Sequence, residues 1–187
     1  MFTRVELKDA AKQQIKGNIG MLLVITLIIS FITGASSFLV VGPIILMGPL
    51  TLGLANIYLS MVREGKKPAI EDMFSGFNNF GQSLLLYVLV MIFTCLWSLL
   101  FVVPGIIKAI SYSQSFYILS DHPEMTASEA LKESMRIMDG HKMDYFVLSL
   151  SFILWSLLVM VTCGLAFIYV GPYMTTTFVN FYEKIKS

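Results

Sequence analysis

Charged residues are missing from long stretches of this sequence. No Asp, Glu, Lys or Arg occurs at positions 17 to 62 or 145 to 182, and Lys108 is the only one at positions 73 to 120. Over all 187 residues, 13% are charged and 56% are hydrophobic, and the mean hydropathy is +0.76. Ordinary soluble domains carry about 25% charged residues. The composition therefore predicts a protein whose solvent is partly lipid.

The same stretches contain no Asp, Glu or His, which are the side chains most used for acid–base and metal chemistry. Their absence argues against an intramembrane aspartyl protease, a His/Glu zinc site or a proton relay made of carboxylates. Glycine-rich phosphate-binding motifs are missing as well. We therefore expect no catalytic residue, no metal and no cofactor, and a protein that is not an enzyme.

A metal cluster between the stretches is the alternative that the sequence leaves open. Its candidate ligands are Asp121, His122, Glu124, Asp139, His141 and Asp144. We interpret both histidines as ordinary helix punctuation, since one precedes Pro123 and the other follows Gly140. The two cysteines, Cys95 and Cys163, fall within apolar stretches, so we predict packing roles and no disulfide.

Each uncharged stretch is too long for one membrane crossing. As a single helix, the first would measure roughly 70 Å against a hydrocarbon core of about 30 Å. Pairs of Gly and Pro inside the stretches indicate turns at Gly42-Pro43, Gly48-Pro49, Pro104-Gly105 and Gly171-Pro172. We predict spans at about 19 to 41, 44 to 62, 82 to 103, 106 to 120, 145 to 170 and 173 to 183. The last is short, so fewer than six complete crossings is an open alternative.

The positions of the basic residues predict the topology. Twelve of the thirteen Lys and Arg residues lie before, between or after the uncharged stretches. These regions share one side of the membrane if each stretch is a hairpin, and short basic loops stay in the cytoplasm. The sequence therefore predicts an all-α polytopic protein of the cell membrane, with about six transmembrane helices as three hairpins and both termini cytoplasmic. A cleaved signal peptide ending near residue 35 is a minor alternative.

The order of features predicts a repeat within a single membrane domain of residues 1 to 187. The units are about 1 to 62, 63 to 120 and 121 to 187, and each has a charged segment, a long apolar helix, a turn and a more polar helix. The charged segments, at 4 to 16, 70 to 81 and 126 to 142, are predicted as cytoplasmic amphipathic helices. In the third, Thr126 and Glu129 form a capping-box pattern. Such segments lie in the lipid interface or pack on the helical bundle.

Basic residues in the N-terminal segment recur every four positions, at Arg4, Lys8, Lys12 and Lys16. On a helix they form one stripe beside Leu7, Ala11 and Ile15. Such a stripe attracts anionic lipid headgroups, with about 1 kcal/mol for each basic residue near the surface. These four residues are the candidate contacts to anionic lipid. The alternative is that they only set the topology.

The second arm of each predicted hairpin is unusually polar. An ionisable residue inside a span is a functional candidate, although Lys108 follows Pro104 closely enough to snorkel to the outer interface. Tyr residues near cytoplasmic helix ends are explained by an aromatic belt, and the alternative is a binding role. The polar residues of the arm at 106 to 120 either form hydrogen bonds between helices or line a wet pathway. The candidate lumen or ligand contacts are Lys108, Asn56, Tyr112, Gln114, Tyr117, Asn180 and Tyr182.

Four segments of the chain resemble a family of bacterial integral-membrane proteins catalogued as domain of unknown function 975. They are residues 4 to 18 (RVELKDAAKQQIKGN), 96 to 124 (LWSLLFVVPGIIKAISYSQSFYILSDHPE), 134 to 142 (SMRIMDGHK) and 171 to 182. Leu154 departs from a Gly expected before Trp155. The resemblance implies a bacterial cytoplasmic membrane, an all-helical fold and an unknown role. The family is distantly similar to the membrane domains of some glycerophosphodiester phosphodiesterases, but no catalytic residue carries over.

Two functions remain after these exclusions. The first is a non-enzymatic membrane protein that binds lipids or partner proteins at the cytoplasmic face. The alternative is a small oligomeric transporter or channel, with a pathway along the polar second arms and Lys108 attracting an anionic solute. We expect the lipid bilayer as a partner, with anionic lipids, another membrane protein or a second copy as candidates, and no nucleic acid.

Overall fold

The computed structural model describes residues 3–36 and 42–186, and over these residues the regular structure is entirely helical. The helices of the N-terminal half are α1 (Arg4–Ile15), α2 (Ile19–Ser36), α3 (Gly42–Glu64), a 3₁₀ helix (Glu71–Asn79) and α4 (Phe80–Leu100). Those of the C-terminal half are α5 (Val102–Tyr112), α6 (Ser115–Asp121), α7 (Ala127–Ile137), α8 (Lys142–Leu150), α9 (Ile153–Val161) and α10 (Phe167–Ile185). The predicted all-α fold is confirmed at this level. The end of the first predicted span lies outside the described residues.

Four segments in the described part of the chain are long and apolar enough to cross a membrane. They are Ile19–Ser36, Gly42–Glu64, Glu71–Leu99 and Lys142–Val161. Each contains at least the roughly 17 residues that a tilted or short crossing needs. These segments are compatible with a membrane protein. The predicted second arms of the last two hairpins are not among them, because they are more polar or broken.

The predicted turns at proline are wrong in position. Pro43 lies in the first turn of α3, and Pro49, where another turn was predicted, lies within the same helix. Pro104 lies in the first turn of α5, and Pro172 lies within α10. A proline in the first turn of a helix costs little, because the backbone N–H that it lacks has no partner there. The turn between α4 and α5 is instead at Phe101, whose backbone is extended.

Two predicted helices are broken and one is longer than predicted. The predicted span 106 to 120 is divided into α5 and α6 at Ser113 and Gln114, and the span 145 to 170 is divided into α8 and α9. The predicted shortness of the last arm is wrong, since α10 contains 19 residues. At 1.5 Å per residue it measures about 28 Å, close to the thickness of a hydrocarbon core.

Burial differs strongly between the apolar segments. In the span of α3, 56% of the residues are buried, whereas the spans of α2, α4 and α8–α9 have 11% each. The longest series of buried residues on one helix is in α10, from Thr176 to Tyr182. Large apolar side chains of α2, α4 and α9 are exposed, including Phe31, Leu99 and Leu154. The more polar helices α3 and α10 therefore lie inside the bundle, with apolar helices around them.

Glycine allows α3 and the 3₁₀ helix to approach closely. A Cβ atom on Gly53 would overlap the carbonyl oxygen of Met73, and one on Gly76 would overlap that of Pro49. Helices that pack in lipid use small residues in this way, because close backbone contact replaces the hydrophobic drive that water supplies. The two glycines therefore allow the 3₁₀ helix to pack directly on the backbone of α3.

Capping boxes begin both amphipathic α-helices. The predicted box of Thr126 and Glu129 is confirmed, and Thr3 and Glu6 form another at the start of α1. In each, the Thr hydroxyl accepts from the Glu backbone N–H while the Glu carboxylate accepts from the Thr N–H. The predicted segment 70 to 81 forms the 3₁₀ helix and the start of α4.

Candidate functional site

The N-terminal helix α1 packs along the C-terminal helix α10. Its apolar stripe of Leu7, Ala11 and Ile15 is at most 2% exposed. Beside the stripe, the side-chain amides of Gln14 and Asn180 form a reciprocal pair: Gln14 Nε2 donates to Asn180 Oδ1 at 3.2 Å, and Asn180 Nδ2 donates to Gln14 Oε1 at 2.6 Å. The basic stripe of α1 is therefore held in a fixed orientation on the bundle.

Lys8 is directed inward from this stripe. Its Nζ donates to the carbonyl oxygen of Ser151 at 3.1 Å and lies 4.2 Å from the ring centroid of Phe152. Ser151 and Phe152 separate α8 from α9, so the ammonium group satisfies a carbonyl at the end of α8. Burial, followed by the nearby charges of Lys12 and Arg4, lowers the pKa of Lys8. Of the four predicted lipid contacts, Lys8 is therefore directed into the bundle, and Lys12 Nζ lies at a longer distance, 6.0 Å, from the ring centroid of Tyr173.

Arg4, Lys12 and Lys16 are exposed on α1 and at its C-terminal end. Lys12 pairs with Asp9 at 3.2 Å, and hydrogen bonding to this carboxylate raises the pKa of Lys12. Lys16 stands three residues before the apolar helix α2. The three basic side chains are therefore exposed along the length of α1, and Lys16 is the one nearest in sequence to the apolar helix α2.

A cavity of about 520 Å³ adjoins the start of α1. Arg4 and Leu7 line one wall, and His141 and Asp144 at the start of α8 line the other. His141 Nδ1 lies 3.4 Å from Asp144 Oδ2. The cavity combines charged groups with an apolar floor that includes Phe181.

An ionic cluster joins the C-terminal ends of α3, α6 and α10. Arg63 contacts both carboxylate oxygens of Asp121 at 2.6 Å, and its Nη2 lies 2.7 Å from Oε1 of Glu183. The Tyr182 hydroxyl donates to Asp121 at 2.8 Å, and Lys186 lies 2.8 Å from Glu183. Tyr182 was a predicted lumen or ligand contact and Asp121 was a candidate metal ligand, whereas Arg63, Glu183 and Lys186 were missed. The sequence signal for these three residues was that each follows closely after the polar second arm of an uncharged stretch.

Asn56 is engaged in a separate polar cluster on α3. Its Nδ2 donates to Ser75 Oγ at 2.7 Å, and its Oδ1 accepts from the Ser120 hydroxyl. Ser75 in turn donates to the backbone oxygen of Asp72 at 2.6 Å. This predicted lumen residue connects α3, the 3₁₀ helix and α6.

Gln114 is fully buried at the break between α5 and α6. Its backbone N–H donates to Ser134 Oγ at 3.2 Å, and the Ser134 hydroxyl donates to the carbonyl oxygen of Ser111 at 2.7 Å. One serine of the amphipathic helix α7 thus satisfies both a donor and an acceptor freed by the break. This contact shows that α7 packs into the bundle.

The remaining predicted site residues lie in different places. The rings of Tyr117 and Tyr182 are in contact, with centroids 5.4 Å apart, whereas Tyr112 lies against Phe93 with centroids 6.3 Å apart. Lys108 is half-buried, and its Nζ lies 5.1 Å from the ring centroid of Trp97. The structure therefore brings Tyr117 and Tyr182 together and holds Lys108 apart from them.

The chemistry of these groups is hydrogen bonding and charge pairing. Within residues 3–36 and 42–186, no three His, Cys, Asp or Glu side chains are grouped so that they could hold a metal ion. The exposed groups of α1 offer positive charge to an anion. The inward-facing groups of α3, α6 and α10 connect helices to one another.

Comparison with known proteins gives one family. The model of the family described as "Protein of unknown function (DUF975)" matches residues 1–111 and residues 101–187. Neither a curated protein nor a solved structure matches the chain.

Proposed function

The chain belongs to the family of proteins of unknown function DUF975, and we propose that it is a non-enzymatic, multi-pass protein of the bacterial cell membrane that binds anionic lipid headgroups at the cytoplasmic face. The proposed topology has six crossings as three hairpins with both termini cytoplasmic. The proposal includes a distant similarity between this family and the membrane domains of some glycerophosphodiester phosphodiesterases.

The polarity of the later second arms is compatible with six crossings. In α10, Asn180 pairs with Gln14, and in the α5–α6 arm the break is filled by Ser134. Polar groups are tolerated at membrane depth where protein encloses them and satisfies their hydrogen bonds. The α5–α6 arm and α10 are therefore more polar than a helix that faces lipid on all sides, because other helices of the protein enclose them.

The observation that carries the lipid-binding proposal is the orientation of α1. Its apolar stripe is buried against the bundle, while Arg4, Lys12 and Lys16 are exposed along α1 and at its C-terminal end. With Lys and Arg on the cytoplasmic side, these three charges lie at the level of the headgroups. Arg4 and Lys16 each contribute about 1 kcal/mol of attraction to an anionic surface, and Lys12 contributes less because it pairs with Asp9.

Headgroup preference tests the proposal. The purified protein is incorporated into vesicles that contain spin-labelled phosphatidylglycerol or phosphatidylcholine, and the fraction of each lipid immobilised by the protein is measured. The unmodified chain is expected to prefer phosphatidylglycerol, and raising the salt concentration is expected to reduce the preference. The triple variant Arg4→Glu, Lys12→Glu, Lys16→Glu is expected to lose most of it.

A triple variant with the same charge change elsewhere is the matched control. Lys67→Glu, Lys132→Glu and Lys184→Glu alter exposed lysines outside α1. Equal loss of preference in the two variants would show that net charge alone is responsible, and the proposed role of α1 would be wrong. Thermal unfolding of each variant establishes that both are folded.

A transporter or channel is the second candidate, and the break between α5 and α6 favours it, because discontinuous helices form the substrate sites of many transporters. Flux into vesicles tests this function. If Lys108→Ala, Gln114→Ala and Asn56→Ala leave the flux of every responding solute unchanged, the pathway along the second arms is wrong.

A further inference from the structure

The three amphipathic segments contact the bundle according to one scheme. The 3₁₀ helix packs on α3, α7 packs on α6, and α1 packs on α10. In each case an Asn or Gln of the polar arm forms a hydrogen bond with the segment, and the three pairs are Asn56 with Ser75, Gln114 with Ser134, and Asn180 with Gln14. The contact between α1 and α10 is therefore one of three related contacts that hold amphipathic segments on the polar arms.

The contact of α1 differs from the other two in its connection to the chain. The hydrogen bonds of the 3₁₀ helix and of α7 join residues 19 and 20 positions apart, whereas Gln14 and Asn180 are 166 positions apart. In the described chain, α1 is covalently joined to the bundle only by residues 16–18, which lead into α2. Gly17 in this link has a φ of 86°, a conformation that glycine adopts without strain. α1 can therefore move away from α10 without a change in the other helices.

The apolar stripe of α1 has two places in which it avoids water. On the bundle, Leu7, Ala11 and Ile15 are at most 2% exposed. At the membrane surface, a helix with an apolar stripe beside a basic stripe lies in the lipid interface with its apolar side inward. The same stripe is therefore buried in two positions of α1, which we call docked when α1 lies on α10 and released when it lies on the membrane surface.

Lys8 is the basic residue that distinguishes the docked from the released position. When α1 is docked, Lys8 Nζ lies 3.1 Å from the carbonyl oxygen of Ser151 and 4.2 Å from the ring centroid of Phe152. The other three basic residues of the stripe are exposed already in this position. A ligand shifts an equilibrium only by the difference between its contacts with the two states. Anionic headgroups therefore gain one additional contact, with Lys8, when α1 is released.

We propose that α1 is released from α10 to the membrane surface, and that anionic lipid headgroups favour the released position through Lys8. This release rests on the proposed binding of headgroups to α1 and adds its regulation, since the lipid composition then sets the fraction of chains in which α1 is docked. Release uncovers the side chain of Asn180 and the carbonyl oxygen of Ser151, both of which α1 contacts in the structure. The bundle thereby changes its cytoplasmic surface in response to the charge of the membrane.

Distances between two spin labels measure the docked and released positions. The labels are attached to Val5→Cys on α1 and Lys184→Cys on α10, both exposed positions, in a chain with Cys95→Ser and Cys163→Ser. Double electron–electron resonance then gives the ratio of released to docked chains in vesicles of phosphatidylcholine or of phosphatidylglycerol. We expect phosphatidylglycerol to raise this ratio about fivefold, the equivalent of about 1 kcal/mol for one basic residue at an anionic surface.

Lys8→Gln tests the assigned cause of the shift. Its amide keeps a hydrogen-bond donor for the carbonyl of Ser151 but carries no charge, so the ratio of released to docked chains should become the same in the two lipids. Lys16→Gln is the matched control, because it makes the same change on the same helical segment at a residue that is exposed when α1 is docked. It is expected to weaken the headgroup preference of the protein and to keep the difference of about fivefold between the lipids.

Gln14→Ala tests the release itself. It removes one partner of the amide pair with Asn180 that holds α1 on α10. The ratio of released to docked chains should therefore rise in both lipids, by about fivefold for one hydrogen bond of typical strength. Because Gln14 is uncharged, the difference between the two lipids should persist in this variant.

Three results would overturn the proposal. The first is a ratio of released to docked chains that is the same in the two lipids, both for the chain with native Lys8 and for Gln14→Ala. The second is an equal loss of the lipid difference in Lys8→Gln and Lys16→Gln, which would assign the effect to net charge. The third is that α1 stays docked in Gln14→Ala in both lipids.

The headgroup preference measured with spin-labelled lipids separates this proposal from the proposed function. If the protein prefers phosphatidylglycerol and the ratio of released to docked chains does not change with the lipid, α1 binds headgroups in its docked position and only the release is wrong. If the preference is absent, the proposed function is wrong, and release by anionic lipid is wrong with it.

Discussion

Arg63 and Asp121 form a two-point ion pair in which Nη1 meets Oδ1 and Nη2 meets Oδ2, each at 2.6 Å. The two residues are 58 positions apart in sequence, and each stands at or near the end of a different helix. Glu183, another 62 positions further on, accepts from the same guanidinium group. One planar cation thus joins α3, α6 and α10, a geometry that the point charge of lysine does not reproduce.

Loss of this cation should destabilise the bundle. Arg63→Ala is expected to lower the free energy of unfolding by about 1–2 kcal/mol, a value reduced from that of buried pairs because the Arg63 side chain is 31% exposed. Arg63→Lys should recover only part of the loss. Thermal unfolding in detergent measures both effects.

The exposed pair of Lys142 and Asp139 provides a control for Arg63. Lys142→Ala should change stability by less than about 0.5 kcal/mol, as is usual for surface ion pairs. If Lys142→Ala and Arg63→Ala are equally destabilising, the cluster does not have the connecting role that we assign to it.

Two Gly→Ala substitutions should have opposite effects on stability. A methyl group at Gly53 overlaps the carbonyl oxygen of Met73, so Gly53→Ala should destabilise the protein by about 1–3 kcal/mol. At Gly20, in helix α2, a Cβ atom would meet no neighbour within 4 Å. Gly20→Ala should therefore be neutral or stabilising by up to about 1 kcal/mol. Unfolding midpoints of the two variants measure the contrast, and destabilisation by both would refute the close-contact argument.

Ser134→Ala should loosen the break between α5 and α6. The substitution leaves the N–H of Gln114 and the carbonyl of Ser111 without their partner, which costs about 1–3 kcal/mol when such groups are buried. Hydrogen exchange at the Gln114 amide should become faster. Ser30→Ala removes an exposed hydroxyl that donates to Thr26 of its own helix, so it should leave this exchange rate unchanged.

The start of α7 should become less stable in acid. Hydrogen bonds from the backbone and the side chain of Thr126 lower the pKa of Glu129 from its ordinary value of 4.5. A carboxyl whose folded-state pKa is lowered contributes stability above its unfolded-state pKa, and this contribution is lost as the pH falls through the folded-state pKa. Amide exchange in the first turn of α7 should therefore accelerate, relative to its intrinsic rate, below about pH 4.5.

Glu129→Gln isolates this titration, since the amide can still complete a capping box but carries no charge. In that variant the acid-induced loosening of the first turn should be reduced. Glu71→Gln, outside α7, should leave it unchanged. Identical pH profiles for the unmodified chain and the Glu129→Gln variant would contradict the assignment.

Local patterns predicted much of the helical structure. The scarcity of charge predicted long apolar helices, and the spacing of Thr126 and Glu129 predicted the start of α7. Proline misled the prediction of turns, since Pro43 and Pro104 lie in the first turns of their helices. Whether proline ends a helix or begins one depends on where the preceding residues turn. Its identity alone does not decide this.

The candidate sites were predicted less completely. The stripe of Arg4, Lys8, Lys12 and Lys16 was visible as a four-residue period. The period did not reveal that Lys8 alone contacts the carbonyl of Ser151, 143 positions away. Asn56 and Gln114 were chosen for their polarity, and their contacts with Ser120 and Ser134 come from other parts of the chain. Periodicity reports one helix face, whereas these contacts require knowledge of which helices are neighbours.

The sequence by itself determined that the chain forms apolar helices, because blocks without charge and local capping patterns act through solvent and nearby backbone. Only the tertiary structure decided which helices are enclosed, where α5 and α8 end, and that Arg63 joins Asp121 to Glu183. These features depend on hydrogen bonds and ion pairs between residues far apart in sequence. Such contacts form only after the helices pack, so no local pattern specifies them.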